Sequence, residues 1–292
     1  MNRAYFNGLK ALAKQKAEPL LLDLFPDAAA AFSLRKLRAA YTGAAIRVRR
    51  SSDDAEQDIG FDANNDLDTA ALLAFVGAGD GFVTNWYDQS GDALNVKQTT
   101  LNRQPRIVNN GGVQIENGMP TIRFTGSTFL FESNILSVGV DNDMLTFSTA
   151  RNLDGLNSDV FFKGAPTNII NAYSLTFTNN TTASFATNNS GVDVRASVSN
   201  ILTNQILYTT EFIRNISNTL YRNSSQVAQR LSTIGVLGVN NEVFSIGALM
   251  ESSTNPLRFL NGNIQEIIIY HSPILPSKAP IEANINNYYN VF

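Results

Sequence analysis

The chain has no cysteine and one histidine, His271. Disulfides, thiolate nucleophiles and cysteine-based zinc sites are excluded together, and a single imidazole cannot build a multi-histidine metal centre. Charge is scarce, at 16% of residues, and nearly balanced, with 22 Lys plus Arg against 25 Asp plus Glu. A formal charge of -3 gives no positive field that would draw the chain to nucleic acid. Long apolar runs are missing as well. No window approaches the ~18 apolar residues of a membrane span, so no span is expected. The opening Met1–Lys10 has no uninterrupted apolar core before Lys14 and Lys16 and does not read as a secretory signal. The expectation is synthesis in a cytosol.

What is abundant is Asn, Thr and Ser, a composition that suits short strands joined by polar turns. At 292 residues the chain is long enough for one large β domain. Tyr5, Phe6, Leu9, Leu12 and Ala13 follow helical spacing, which predicts a short amphipathic helix ended by Pro19. Residues 1–26 therefore form a segment of their own, read either as a helix packed on its own domain or as a docking segment for another subunit. Asp27 is placed to cap a second helix over Ala28–Ala40. The period then changes. Ile46 and Val48 alternate with Arg47 and Arg49, a strand with one wet face, and Gln57–Phe61 returns as its partner after the turn Ser51–Glu56. Asp68–Phe75 is a short capped helix closed by Gly77. From Phe82 onward strands dominate, separated by clusters such as Asn109–Gly112 and Asn188–Gly191, and a helix closes the chain from about Ser277 to Tyr289. The prediction is a mainly β fold, a sandwich or barrel over residues 27–292, with short N-terminal helices and a C-terminal helix.

Three places carry chemistry-bearing side chains. Trp86-Tyr-Asp-Gln-Ser-Gly91 ends a strand and begins a loop. An aromatic beside carboxylate and amide groups is how sugar sites are built, which makes Trp86, Tyr87, Asp88 and Gln89 candidate ligand-binding residues; the competing reading is a core tryptophan with Asp88 and Ser90 bonding nearby amides. Arg47, Arg49, Arg50, Asp53, Asp54, Glu56 and Asp58 alternate charge around one hairpin, as ion pairs that hold it or as an anion or calcium site. Asp62, Asp66 and Asp68 with Asn64 and Asn65 have the composition of a calcium loop, but the EF-hand order is incomplete and no ligating Glu follows. No metal ligand is assigned, and calcium is the only cofactor the composition leaves open. There is no Gly-x-Ser-x-Gly elbow, no phosphate loop and no His placed to serve a serine.

Phe32-Ser-Leu-Arg-Lys-Leu-Arg38 and Ile46 through Phe61, answered by Trp86–Gly91, resemble the opening of the concanavalin A-like jelly-roll sandwich of the arabinofuranosidase B family and related bacteriophage structural proteins. Thr219–Ala228 resembles the hairpin of laminin G-like domains, with Ser224 where a turn glycine is more usual, and Phe259–Tyr270 resembles their last strand. The resemblance implies two carboxyl groups across a scissile bond. Where it places one of them this chain reads Ile246-Gly-Ala-Leu249, with Glu251 two residues on, and where it places the other it reads Ala172–Phe177, without an acid. Between Val160 and Phe292 the acids are Asp193, Glu211, Glu242, Glu251, Glu266 and Glu282, read as solvated strand faces. The expectation is no catalytic residue and no enzyme: a virion protein made in the bacterial cytoplasm, displaying a lectin-like domain. Its implied partners are other virion subunits, further copies of itself with a trimer first, and a host surface glycan. The alternative is a carbohydrate-binding or glycan-cleaving protein of the arabinofuranosidase B type.

Overall fold

A computed structural model of the chain describes residues 19–165, 168–178, 182–189, 192–199, 204–252 and 255–292, with the side chains of 165, 168–171, 251 and 252 left aside. The expected mainly β sandwich is found. Nineteen strands among the described residues join in one continuous antiparallel network that folds over into two layers. The back layer runs Ser225–Leu231, Ser217–Arg222, Ile206–Ile213, Asp143–Asn152 and the closing strand Asn261–Ser272, whose far edge is shared by Ala30–Ser33 and Ile122–Thr125. The front layer runs Val192–Ser199, Thr182–Asn189, Asn168–Thr178, Ser158–Ala165, Val243–Ile246 and Leu130–Ser133. It continues through Val96–Lys97 and Gly81–Trp86 to Ile46–Arg50 and Glu56–Ile59. Each strand alternates an inward apolar residue with an outward one, so Phe161, Tyr173, Leu175, Phe177 and Phe185 meet Tyr208, Phe244 and Ile267 in the core between the layers.

The closing strand departs from that alternation. Ile267 and Ile269 face the core, while Ile268 and Tyr270 lie under a second cluster with Leu21, Leu22, Leu145, Phe147, Ile281, Ile285 and Tyr289. It is apolar on both faces because the helix Lys278–Tyr289 covers the outer one, which explains its continuous apolar run. One buried polar network fastens helix to sheet: Arg35 donates to both Glu266 oxygens, at 2.9 and 3.0 Å, and to Asn284, while Ser33 donates to Glu266 at 2.6 Å. The guanidinium also lies 4.7 Å from the Tyr288 ring centroid.

Several local expectations change. The helix read over Ala28–Ala40 is instead the strand Ala30–Ser33, paired with Glu266–Ile269. Asp27 takes a left-handed φ of 67° and caps nothing. Spacing alone was compatible with a helix there, but the edge of the closing strand needed a partner, and tertiary pairing overrides a weak helical pattern. Arg49, assigned to a wet face, is buried: it donates to Gln104 at 2.7 Å and Asp54 at 2.5 Å and stacks 4.6 Å from Phe82. The helix read from Tyr5 to Ala13 lies outside the described residues. Residues 20–25 are described, and they pack on the chain's own sheet: Leu21 and Leu22 are buried, and Tyr270 donates to the Phe25 carbonyl at 2.8 Å. The helix Thr69–Val76 with Asp68 bonding Ala71 N appears as expected. So does the hairpin at Asn223-Ser224, where both residues take positive φ, 50° and 62°, the signature of a two-residue primed turn.

Candidate functional site

The outward face of the front layer is polar. Ser174 and Thr176 on one strand stand beside Ala186 and Ser184 on the next, and these beside Arg195 and Ser197. Such a face would be solvated if open, yet Ser174, Thr176, Ser184 and Asn188 are all buried. The cover is the hairpin Leu249–Ser252 with Asn255–Leu257, aimed back over the sheet by Gly247. Gly247 has φ of 84°, and a Cβ there would overlap the Phe124 ring, so the turn needs glycine. Between hairpin and sheet lies a cleft of about 190 Å³ lined by Phe162, Ser174, Asn188, Asp193, Arg195, Leu249 and Arg258 among others.

This cleft unites the two stretches that the sequence set apart. Leu249 forms part of its wall, and Ala172, Tyr173 and Ser174 form its floor. Glu251 follows Leu249 on the same strand, but its side chain lies outside those described. Two carboxylates that sequence reasoning did not credit gather here. Asp193, read as a solvated strand residue, lines the cleft and pairs with Arg195 at 2.9 Å. Asp159 fell one residue short of the segment searched for acids. It is fully buried beneath the cleft, accepts a hydrogen bond of 2.5 Å from Thr176, and lies 3.1 Å from Arg258. Burial pushes its carboxyl up to about 6, against the opposing pull of Arg258, the Thr176 bond and Arg195. Thr176 Oγ1 is 3.2 Å from Ser174 Oγ, so a short hydroxyl chain runs from the buried acid to the cleft floor. The signal available in sequence was a lone Asp beside Val160, Phe161 and Phe162, a charged residue opening an apolar strand.

The four candidates at 86–89 lie elsewhere and serve the fold. Trp86 is fully buried, 5.9 Å from the Phe32 ring. Asp88 accepts from the amides of Ala31, Ser90 and Leu94. Gln89 accepts from Leu37 N and donates to the carbonyls of Ser33 and Arg35. Tyr87 donates to Asp58 at 2.8 Å. The acidic loop is engaged too: Asp62 accepts from Asn64 N and Asp66 N, Asp66 accepts from Tyr288, and Asp68 caps its helix. The charged hairpin is held by ion pairs, Arg47 with Glu56 at 2.8 Å and Arg50 with Asp53 at 2.7 Å. No group of three metal-ligating side chains occurs among the described residues. His271 is the penultimate residue of the closing strand, and burial holds its imidazole down to about 4.

The arrangement of the layers is found in known proteins. A family model for the catalytic domain of α-L-arabinofuranosidase B matches residues 25–117. Among solved structures, a GH54 arabinofuranosidase soaked with a cyclic sulfate inhibitor superposes with a TM-score of 0.59, and an arabinofuranosidase complexed with arabinofuranosyl-α-1,2-xylobiose with 0.60. The fold is an arabinofuranosidase-like sandwich. Each is 14% identical to this chain and covers 88% of it, and the chain spans 62% of the length of each. No curated protein matches the chain.

The expectation of a non-enzymatic chain is thereby corrected. The matched model is that of a catalytic domain, and the superposing structures are glycoside hydrolases. Leu249 and the acid-free stretch 172–177 do not demonstrate a catalytic loss, because Asp193 lines the cleft from another strand and Asp159 is buried beside Arg258 of its wall.

Proposed function

We propose that the chain is a carbohydrate-active sandwich domain of the arabinofuranosidase B type that holds a glycan in the cleft between the front sheet and the hairpin 249–257. The observation that carries this reading is the convergence at one cleft of Leu249, the stretch 172–174 and two acid–arginine pairs on a polar, covered sheet face. Sugars are held by directional hydrogen bonds next to an apolar surface. Asn188 and Ser174 supply the first, and Phe162 and Leu249 the second. For hydrolysis, Asp193 is the carboxylate open to a ligand, while Asp159 is buried in the same sheet and sets the charge around Arg258.

The test is titration of the purified chain with arabinan oligosaccharides and prolonged incubation with aryl arabinofuranosides. Binding that Asn188→Ala and Asp193→Asn weaken supports the reading, and turnover lost in Asp193→Asn adds the reaction. A chain that neither binds nor cleaves these glycans overturns it. The setting we infer is a bacteriophage particle that uses the cleft on a host surface glycan, from the resemblance of 32–91 to phage structural proteins. Flanking capsid, portal or tail genes would support that setting, and their absence would count against it.

A further inference from the structure

We infer that the Ser174 hydroxyl on the cleft floor is a reversible contact, which offers a sugar hydroxyl either its lone pairs or its hydrogen according to the protonation of Asp159, a positioning residue that acts through Thr176; this rests on the reading of the cleft as a glycan site. Strand register brings the three side chains into line. Asp159 stands opposite Thr176, and Ser174 lies two residues before Thr176 on the same face of the pleat. Asp159 Oδ1 is 2.5 Å from Thr176 Oγ1, which is 3.2 Å from Ser174 Oγ, and Ser174 lines the cleft. Each hydroxyl has one hydrogen to give, so the chain runs in one direction or the other but not both at once. With Asp159 ionised, Thr176 donates to the carboxylate and accepts from Ser174, whose lone pairs are left for the cleft. With Asp159 protonated, the carboxyl donates to Thr176, Thr176 donates to Ser174, and the Ser174 hydrogen points at the ligand.

The surroundings of Asp159 decide where its proton goes and when. Oδ2 faces Arg258 Nε at 3.1 Å, so a proton is disfavoured there and goes to Oδ1, the oxygen on the chain. The strand Asn168–Thr178 contributes hydroxyls and no charge to this carboxyl. Arg195 adds a second positive charge and is itself paired with Asp193, while Glu251 on the covering hairpin has its side chain outside those described. Burial outweighs both guanidiniums and holds the carboxyl up at about 6, so the direction of the chain reverses around that pH. A sugar hydroxyl answers either form, because it donates and accepts. An ether oxygen in the same place only accepts, and it therefore fits Ser174 in acid and not at neutral pH.

The experiment is calorimetric titration of the full chain with arabinotriose and with the set of its singly O-methylated derivatives, at pH 5 and 7.5. Methylation adds the same bulk at both pH values, so the difference between the two penalties reports the lost donor. At one hydroxyl position the penalty is expected to be about five-fold smaller at pH 5, the worth of roughly one hydrogen bond. Thr176→Val cuts the chain without removing the Asp159 charge and should make that penalty equal at the two pH values, whereas Thr176→Ser should keep the difference. If the valine variant melts too low to titrate, Asp159→Asn, which cannot change its charge, should show the equal penalties instead. Carboxyl-carbon NMR without ligand should find Asp159 titrating near 6 in the native chain and higher in Thr176→Val, where the carboxylate has lost a donor. A penalty independent of pH at every position, a pH dependence that survives Thr176→Val, or an Asp159 carboxyl that does not titrate between pH 5 and 7 overturns the inference. With arabinotriose bound, each of these results leaves the glycan site standing, whereas no binding of any of the oligosaccharides at either pH removes both.

Discussion

Replacing Asp159 by asparagine should stabilise the protein at neutral pH and do nothing in acid. A carboxyl whose pKa stands at about 6 in the folded chain, against 3.8 as the ordinary value, corresponds to about 3 kcal/mol between its two protonation states. The folded state holds a proton that the unfolded chain has already released between these values. The favourable contribution is therefore complete below about 4, falls away as pH rises to about 6, and is absent above that. Asparagine keeps an oxygen for the Thr176 hydroxyl and carries no charge to desolvate. It deprives Arg258 of its partner, and because Nε and Nη2 of that side chain are shielded from solvent, this loss offsets part of the gain. The expected gain is thus on the order of 1–3 kcal/mol at pH 7.5 and near zero at pH 3.5. Urea unfolding of both proteins at pH 3.5, 5 and 7.5 measures it. His271 titrates in the opposite sense, because burial lowers its pKa and its neutral form must take up a proton in acid. It is common to both proteins and cancels in the difference. A gap that does not change with pH, or a variant less stable at every pH, would refute the argument that burial dominates the environment of Asp159.

Trp86→Ala should cost ~3–5 kcal/mol in chemical denaturation, the usual loss for truncating a fully buried aromatic; a small loss would mean that the indole is not part of the core. Glu266→Ala strips both acceptors from the buried Arg35 guanidinium and should cost ~3–5 kcal/mol, releasing the closing helix, which near-UV dichroism of Tyr288 and Tyr289 would report. Arg47→Ala on the exposed side of the 46–59 hairpin should change stability by no more than ~1 kcal/mol despite its two ion pairs. Gly247→Ala forces a Cβ into Phe124 at a left-handed position, so it should lower the melting temperature and weaken glycan binding together by shifting Leu249.

The sandwich was legible in the chain because its strands obey period two over most of their length and their turns carry Asn, Gly and Ser at positive φ, as at Asn223-Ser224. The helix over 278–289 was legible for the same reason, through its own spacing. What could not be read locally was pairing. Ala30–Ser33 has no strand signature of its own, and only the edge of Asn261–Ser272, more than 200 residues away, makes it a strand. Arg49 shows the same limit in another form: alternation gave its face correctly, but that face is covered by Phe82 from a later strand and Gln104 from a later connection.

The site was half legible, and the missing half follows from how such a cleft is assembled. Comparing one position with one position finds Leu249 where a carboxylate is implied and concludes that the chemistry is gone. The cleft, however, draws its lining from four adjacent strands and a covering hairpin, so charge lost at one point of the rim can be supplied from another strand. Asp193 faces the cleft because it stands opposite Asn188 and two residues before Arg195, all on one face of the pleat. Asp159 reaches the same region from below because its strand pairs with Thr176 at its start. Neither placement has a sequence signature beyond an acid in a strand, and both become visible only when register is known. Leu249→Asp offers a direct comparison of the two arrangements: if the cleft tolerates a carboxylate at 249 and binds glycan no better, Asp193 and Asp159 already supply the acidity this cleft uses.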